Sequence, residues 1–462
     1  MLLLAACAPL PTRPSAGPLA DIRDDVAAVS ATALSSTFSI RSVRVDVADR
    51  AWRVIAGHFY DPNLNGVDWS AVRKITRTRA GAATSDAEFY AALKDMAASL
   101  GDSHTMVLTP RETLDRRRFV STRTGMQITF VDGRVAISEV EPESPAARVG
   151  ISVGDVLLGV AGTRFDTPFV RAALADPRLE HSDVIAGDGP EALPADAMDN
   201  DRVRVLRAVR REMRRAATAP GQAGGVMVDV VRADGTLLHT LLRPAPSPRP
   251  PNAHLRWLDG DIAVLRFSRF VPELRADIDA ALDEAARARA LIVDLRGNGG
   301  GLIEMFRWFT GRFLSEEHLA MRSLTRDRVD GENQNITDMY VGPSRFENRP
   351  RPLLQPLAVL IDGRTGSAAE LAAVVLAEQR SAILVGEPTC GCVVGVRYEY
   401  VLPDGGGLRV AETGFVSAHG ARLEGVPTLP AVRVMPTLMD LRSGRDVVLD
   451  EAARQLSKVI AR

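Results

Sequence analysis

Hydrophobic positions change their period twice along this chain. From Ser42 to about Pro110 they recur at helical spacing, and Val45, Val47, Ala51, Trp52, Val54, Ile55 and Phe59 form an apolar stripe that ends before Pro62. A second helix follows Asp68-Trp69. A third begins after Ser85, carries Phe89, Leu93, Met96 and Leu100 on one face, and ends at Leu100-Gly101-Asp102-Ser103-His104-Thr105. From Gly125 short strands take over: Met126 to Phe130, Val135 to Val140, Val156 to Val160, Val226 to Val231 and Leu237 to Leu242. After Leu255 strands alternate with helices. Ile262 to Phe267, Ala290 to Leu295 and Leu357 to Ile361 read as buried strands, with an amphipathic helix over Leu274 to Ala288, which is the signature of a parallel α/β sheet. The expected fold class is therefore multidomain α/β. Its parts are a leading tether (1–40), a helical domain (41–117), a β-rich domain (118–245, with an insertion over 166–225) and an α/β core with a βαβ-type sheet (246–462).

Composition narrows the function classes. Lys plus Arg number 57 against 58 for Asp plus Glu, so no global field argues for nucleic acid. A helix expected through Arg202, Arg204, Arg207, Arg210, Arg211, Arg214 and Arg215 reads first as a solvated face, with contacts to anionic substrate or lipid as the alternative. Three cysteines make no disulfide framework, and Cys390 and Cys392 stand too close in sequence for an unstrained bridge. No metal or cofactor motif is present. The run Asp294-Leu295-Arg296-Gly297-Asn298-Gly299-Gly300-Gly301 is neither a Walker loop nor a dinucleotide fingerprint. It suits backbone N–H groups turned toward an anionic intermediate, since bare glycines let a substrate approach.

Ser367 carries the sharpest choice. It follows the strand Leu357 to Ile361 and the turn Asp362-Gly363-Arg364-Thr365-Gly366, at the start of a helix. Local pattern favours an N-cap, whose hydroxyl would satisfy an orphan N–H. A nucleophile on a strand-turn-helix elbow is the alternative, with the next N–H, on Ala368, free to face an oxyanion. His104 offers the same kind of choice, between a satisfied loop histidine and a base beside its own orienting hydroxyl on Ser103.

Three resemblances extend this reading. Leu4-Ala5-Ala6-Cys7 resembles the lipobox of bacterial lipoproteins, which implies lipidation at Cys7, attachment to a membrane and a periplasmic location, with Pro9, Pro11, Pro14 and Gly17 as a tether. Ser144-Pro145-Ala146-Ala147-Arg148-Val149-Gly150-Ile151 with Gly154-Asp155-Val156-Leu157 looks like a PDZ domain. That likeness implies that Gly125, Met126, Gln127 and Ile128 bind a peptide's terminal carboxylate and added strand. The glycine run, the Ser367 elbow, Ile383 to Gly391 and the helical domain ending at Thr105 together resemble the tail-specific (carboxy-terminal processing) serine protease family. This implies a ClpP/crotonase-like core, a polypeptide substrate and no cofactor.

Within that family, the lysine-type members place a lysine 25 residues after the nucleophile and a glutamine four beyond it; here those positions are Cys392 and Val396. The tricorn-type branch instead resembles a Ser-His-Ser-Glu tetrad, which maps onto Ser367, His104, Ser103 and Glu424, the last in Leu423-Glu424-Gly425-Val426-Pro427. Gly299 or Gly300, with Ala368, would then donate to the oxyanion. The resemblance leaves a non-catalytic member binding peptide or hydrophobic ligand as the alternative, and a redox or nucleophilic part for Cys392 as a third possibility.

Overall fold

The computed structural model describes residues 37–117, 121–175, 205–206, 208–213, 216, 225–247, 252–327, 333–343 and 351–461. Three helices lead, α1 (Thr37–His58), α2 (Trp69–Ala82) and α3 (Asp86–Ala98). Their starts follow from local chemistry. Asp68 accepts from the Ala71 N–H and Ser85 from the Glu88 N–H, each cap stabilising by about 1 kcal/mol. The apolar faces close on the far end of the chain, where Phe59, Phe89, Leu93 and Leu100 share a buried cluster with Leu402, Leu408 and Val410. Met106–Leu108, directly after His104 and Thr105, pairs antiparallel with Gly407–Arg409. The helical region is thus laced to the carboxy-terminal half by backbone hydrogen bonds.

Between them lies an antiparallel sheet built from Met126–Val131, Arg134–Val140, Val156–Val160, Val226–Val231 and Leu237–Leu242 in that order. Among the described residues Met126–Val131 pairs with Arg134–Val140 alone, so it forms an edge. Ala208 and Val209 pack into its core beside Ile137 and Val228. Of the arginines expected on that helix, Arg210 and Arg211 are described; the others lie outside the described residues, as do Cys7 and residues 1–36 of the tether, whose last four residues instead begin α1.

The core sheet has six strands in the order β1 (Ala253–Leu258), β2 (Ile262–Phe267), β3 (Ala290–Asp294), β4 (Leu357–Ile361), β5 (Ile383–Gly386) and β6 (Val432–Arg433). The first pair is antiparallel and the rest are parallel. Both faces are covered, which explains the unbroken apolar runs. Ala263, Leu265, Leu291, Val293 and Val359 face helices α4 (Arg275–Ala285), α5 (Ile303–Gly311) and α6 (Ala368–Arg380). Ile262, Val264, Ile292 and Leu360 face α7 (Val447–Ile460). A 3-10 turn, Pro272–Leu274, opens the helix α4, which ends at Ala285, short of the Ala288 that its apolar pattern suggests.

One buried ion cluster ties the end of β3 to α7. Arg296 grips Asp294 and Asp446, the N-cap of α7, with two hydrogen bonds to each at 2.7–2.8 Å. Asp294 is 1% exposed, so removing the guanidinium strands a carboxylate in the core. Arg296→Ala is expected to cost about 3 kcal/mol, at the lower end for a broken buried pair because Arg266 stands 3.6 Å from Asp294. The lowered denaturant midpoint is the check.

Candidate active site

Three loops leave the carboxyl ends of the adjacent parallel strands β3, β4 and β5, the usual place for ligands in an open α/β sheet. The glycine loop after β3 is held by Asn298, fully buried, which donates from Nδ2 to the Phe267 carbonyl (3.0 Å) and accepts the Gly300 N–H on Oδ1 (2.9 Å). Its own carbonyl accepts the Gly366 N–H at 3.1 Å, tying this loop to the elbow after β4. At Gly300 (φ +88) a Cβ would lie 2.7 Å from the Ser367 Cβ, so only glycine lets the loop rest on the serine. The sequence left Gly299 and Gly300 as alternative donors. Gly300 is already engaged by Asn298, whereas the N–H groups of Gly299 and Ala368 have no hydrogen-bond partner among the described residues.

Ser367 stands at the N-cap of α6 but does not cap it. Its backbone has φ 53° and ψ −127°, a region that costs a non-glycine residue about 1–3 kcal/mol and survives only where the surroundings enforce it. The hydroxyl makes no hydrogen bond with any described residue. The cap reading is therefore overturned. What holds the serine is its N–H, donated to the Cys392 carbonyl at 2.9 Å.

His104 reaches this region through the strand pairing of Met106–Leu108. Asp102 Oδ1 accepts the N–H groups of His104 (2.8 Å) and Thr105 (2.6 Å), turning the loop, and Thr105 Oγ1 accepts the Ala411 N–H at 3.1 Å. His104 Nδ1 lies 2.6 Å from Ser103 Oγ. Glu424, 4% exposed, accepts the Ser103 N–H at 2.8 Å and the Val393 N–H at 2.6 Å, and the Ser103 hydroxyl faces the same carboxylate. Burial pushes the His104 imidazole down to about 4, helped by the nearby guanidinium groups of Arg409 and Arg116. Burial also raises the Glu424 carboxyl, an effect that the Ser103 and Val393 donors oppose.

Of the four predicted residues, Ser103, His104 and Glu424 are joined by hydrogen bonds. Ser367 makes none to His104 in this structure. The connection runs through one peptide group, whose carbonyl (Cys392) takes the Ser367 N–H and whose N–H (Val393) goes to Glu424.

The same segment corrects the expectation for the cysteines. Cys390 and Cys392 are disulfide-bonded, with Cα atoms 5.1 Å apart, inside the usual span. Gly391 between them adopts φ +65°, which turns the chain enough to bring them together. Cys392 is therefore not a free thiol. A residue whose role no local signal gives away, Glu370, holds this loop. Its buried carboxylate accepts the N–H groups of Gly391 and Cys392 (3.1 Å each) and the Thr389 hydroxyl. Burial pushes its carboxyl up to about 7 against those donors.

A model of peptidase family S41 matches residues 261–434, and one of the tricorn protease C1 domain matches residues 49–98. The chain is also 24% identical over 420 residues to the chloroplastic C-terminal processing peptidase of Tetradesmus obliquus, covering 88% of this chain and 81% of that protein. Residues 261–434 thus carry a peptidase family S41 domain, the family to which the matches with carboxyl-terminal processing proteases also point. The chain is further 26% identical over 424 residues to a tricorn protease homolog of Streptomyces coelicolor, spanning 88% of its own length but 31% of that relative's. Among solved structures, mature CPAF complexed with lactacystin superposes with a TM-score of 0.62 at 16% identity, over 91% of this chain and 98% of that one. The photosystem II D1 C-terminal processing protease superposes at 0.51 and 20% identity, over 85% and 93%. At these identities the likeness is one of fold.

The remaining predicted residues lie apart from this centre. Gly125 (φ +77) abuts Ser144, where a Cβ would meet the Ser144 Cβ at 2.1 Å, and Met126, Gln127 and Ile128 run along the edge strand, with Met126 and Ile128 buried, Gln127 half-buried and a bulge between Gln127 and Ile128. A salt bridge connects the two regions. Glu139, opposite Gln127, accepts from Arg364 of the elbow at 3.0 Å. Among the described residues no cluster of His, Cys, Asp or Glu fits a metal, and no helix is long and apolar enough to cross a membrane.

Proposed function

We propose that this S41 chain is a serine endopeptidase of the cell envelope that cleaves unstructured or carboxy-terminal polypeptide through an acyl-enzyme, using the tricorn-type tetrad. The observation that carries the proposal is the hydrogen-bonded run from His104 through Ser103 to Glu424, which spans 321 residues of sequence and ends on the peptide group holding Ser367. Ser367 Oγ attacks the scissile carbonyl carbon as His104 takes its proton. Ser103 holds the imidazole in one tautomer, and Glu424 orients Ser103 and offsets the imidazolium. The tetrahedral oxyanion receives the N–H groups of Ala368 and Gly299, either of which is worth about 10²- to 10³-fold in rate. Collapse expels the amine with the proton from His104, and a water activated by the same imidazole releases the acyl group. The edge strand Met126–Val131, with Gly125 before it, supports docking of a substrate tail as an added strand in the PDZ manner. The envelope location rests on the lipobox-like Cys7.

The test is a serine-directed fluorophosphonate, whose adduct should map to the Ser367 peptide. Because the base works as neutral imidazole, the labelling rate should persist below pH 6.5, the ordinary histidine value, and fall only near pH 4. A well-folded protein that takes no label would favour the binding-protein reading. An acid limb at the ordinary value would mean that the ring is solvated and not held as described.

A further inference from the structure

We propose that Cys390–Cys392 is a reversible disulfide site that braces the Ser367 elbow, so that a dithiol reductant lowers the reactivity of the serine. The inference rests on Ser367 being the nucleophile. The cysteines lie directly against the elbow. The Cys390 N–H donates to the Thr365 carbonyl and the Ser367 N–H to the Cys392 carbonyl, both at 2.9 Å. Gly366 lies between, and a Cβ built on it would stand 3.4 Å from the Cys390 Cβ and 3.7 Å from the Cys392 Cβ. No side chain separates the disulfide from the residue before the serine.

The bridge has little to do for global stability. A crosslink closing three residues removes so little unfolded-chain entropy that it stabilises by under about 2 kcal/mol. Its effect is local. Ser367 occupies a backbone region that persists only when over-determined, and the Cys392 carbonyl is its backbone anchor. The other side of that peptide group holds Glu424 through the Val393 N–H, so one change at Cys392 reaches both the serine and the glutamate. Both cysteines are half-buried, which leaves a small thiol access.

The exchange balances. A reductant thiolate attacks one cysteine sulfur, the S–S bond breaks and a mixed disulfide forms. The reductant's second thiol then displaces the other cysteine, leaving two protein thiols and a cyclic oxidised reductant. With the ring open, Gly391 regains its freedom and the Cys392 carbonyl is no longer fixed by its neighbour two residues back.

The experiment compares the full chain purified without reductant with the same protein after dithiothreitol. Alkylation mass spectrometry follows the thiols of the peptide carrying Cys390 and Cys392. Two readouts are taken, the fluorophosphonate labelling rate and amide hydrogen exchange over residues 363–371. Reduction should expose two thiols, slow labelling about tenfold or more, as displacements on the order of 1 Å do, and raise exchange over the elbow. The double variant Cys390→Ser/Cys392→Ser should begin at the reduced rate and ignore dithiothreitol. Unchanged exchange and labelling after proven reduction would overturn the proposal, as would two free thiols in the untreated protein. Exchange that rises on reduction with no labelling in either form would retain the brace and sink the peptidase reading instead.

Discussion

Ser367→Ala should abolish peptide hydrolysis and fluorophosphonate labelling, a loss of about 10⁴-fold or more, while leaving the fold and substrate binding intact. The size follows from the role, since the other hydroxyl of the elbow, on Thr365, is engaged by the Asp362 N–H and the Leu295 carbonyl, whereas Ser367 stands beside the unengaged N–H groups of Gly299 and Ala368. Intact folding follows from what the side chain does not do. The hydroxyl neither caps α6 nor bonds another group, so its loss leaves no buried partner unsatisfied. Alanine accepts the same positive φ at a penalty similar to that of serine. The variant should therefore melt within a few degrees of the parent and still bind a carboxy-terminal peptide. Substantial residual hydrolysis would move the nucleophile elsewhere, and a collapsed melting transition would mean that the serine is structural.

The division between what could and could not be read from the sequence has a physical basis. Strands Val156–Val160, Ile262–Phe267 and Leu357–Ile361 match their apolar runs because a buried strand needs nothing beyond its own residues to announce itself. The elbow was legible for the same reason, being one contiguous strand, turn and helix start. Local pattern nevertheless favoured a cap at Ser367, because the glycine loop and the Cys392 carbonyl that hold it otherwise come from 67 residues before and 25 after. Glu370 was invisible on similar grounds. In the first turn of a helix a glutamate is ordinarily a solvated partner of the helix dipole, and only the return of residues 389–392 and 428 makes it a buried clamp. The cysteine spacing argued against a bridge until the positive φ of Gly391 was known. His104, Ser103 and Glu424 were named through family likeness, and their hydrogen bonds depend on the pairing of Met106–Leu108 with Gly407–Arg409, a contact that no periodicity encodes.

Glu424→Gln should lower kcat by about 10²- to 10³-fold with KM changed less than about threefold, a smaller loss than at Ser367 but the largest expected outside the serine and histidine. The carboxylate accepts two backbone N–H groups, from Ser103 and Val393, and faces the Ser103 hydroxyl. A glutamine of the same shape keeps one accepting oxygen and turns an NH2 group toward the other N–H, so one of the two bonds becomes a clash of donors. The charge that offsets the imidazolium forming in the transition state is lost as well, whereas the acid limb itself should stay near pH 4, because the Glu424 carboxyl, raised by burial, is already protonated where His104 titrates. A purely structural glutamate would shift melting with kcat near neutral pH unchanged, so kcat read beside the melting temperature separates the two roles. Ser103→Ala keeps the carboxylate and loses only the relay hydroxyl, and should fall between Glu424→Gln and the parent. A Glu424→Gln enzyme within about twofold of the parent in kcat would remove the glutamate from the relay and leave His104 to act with Ser103 alone.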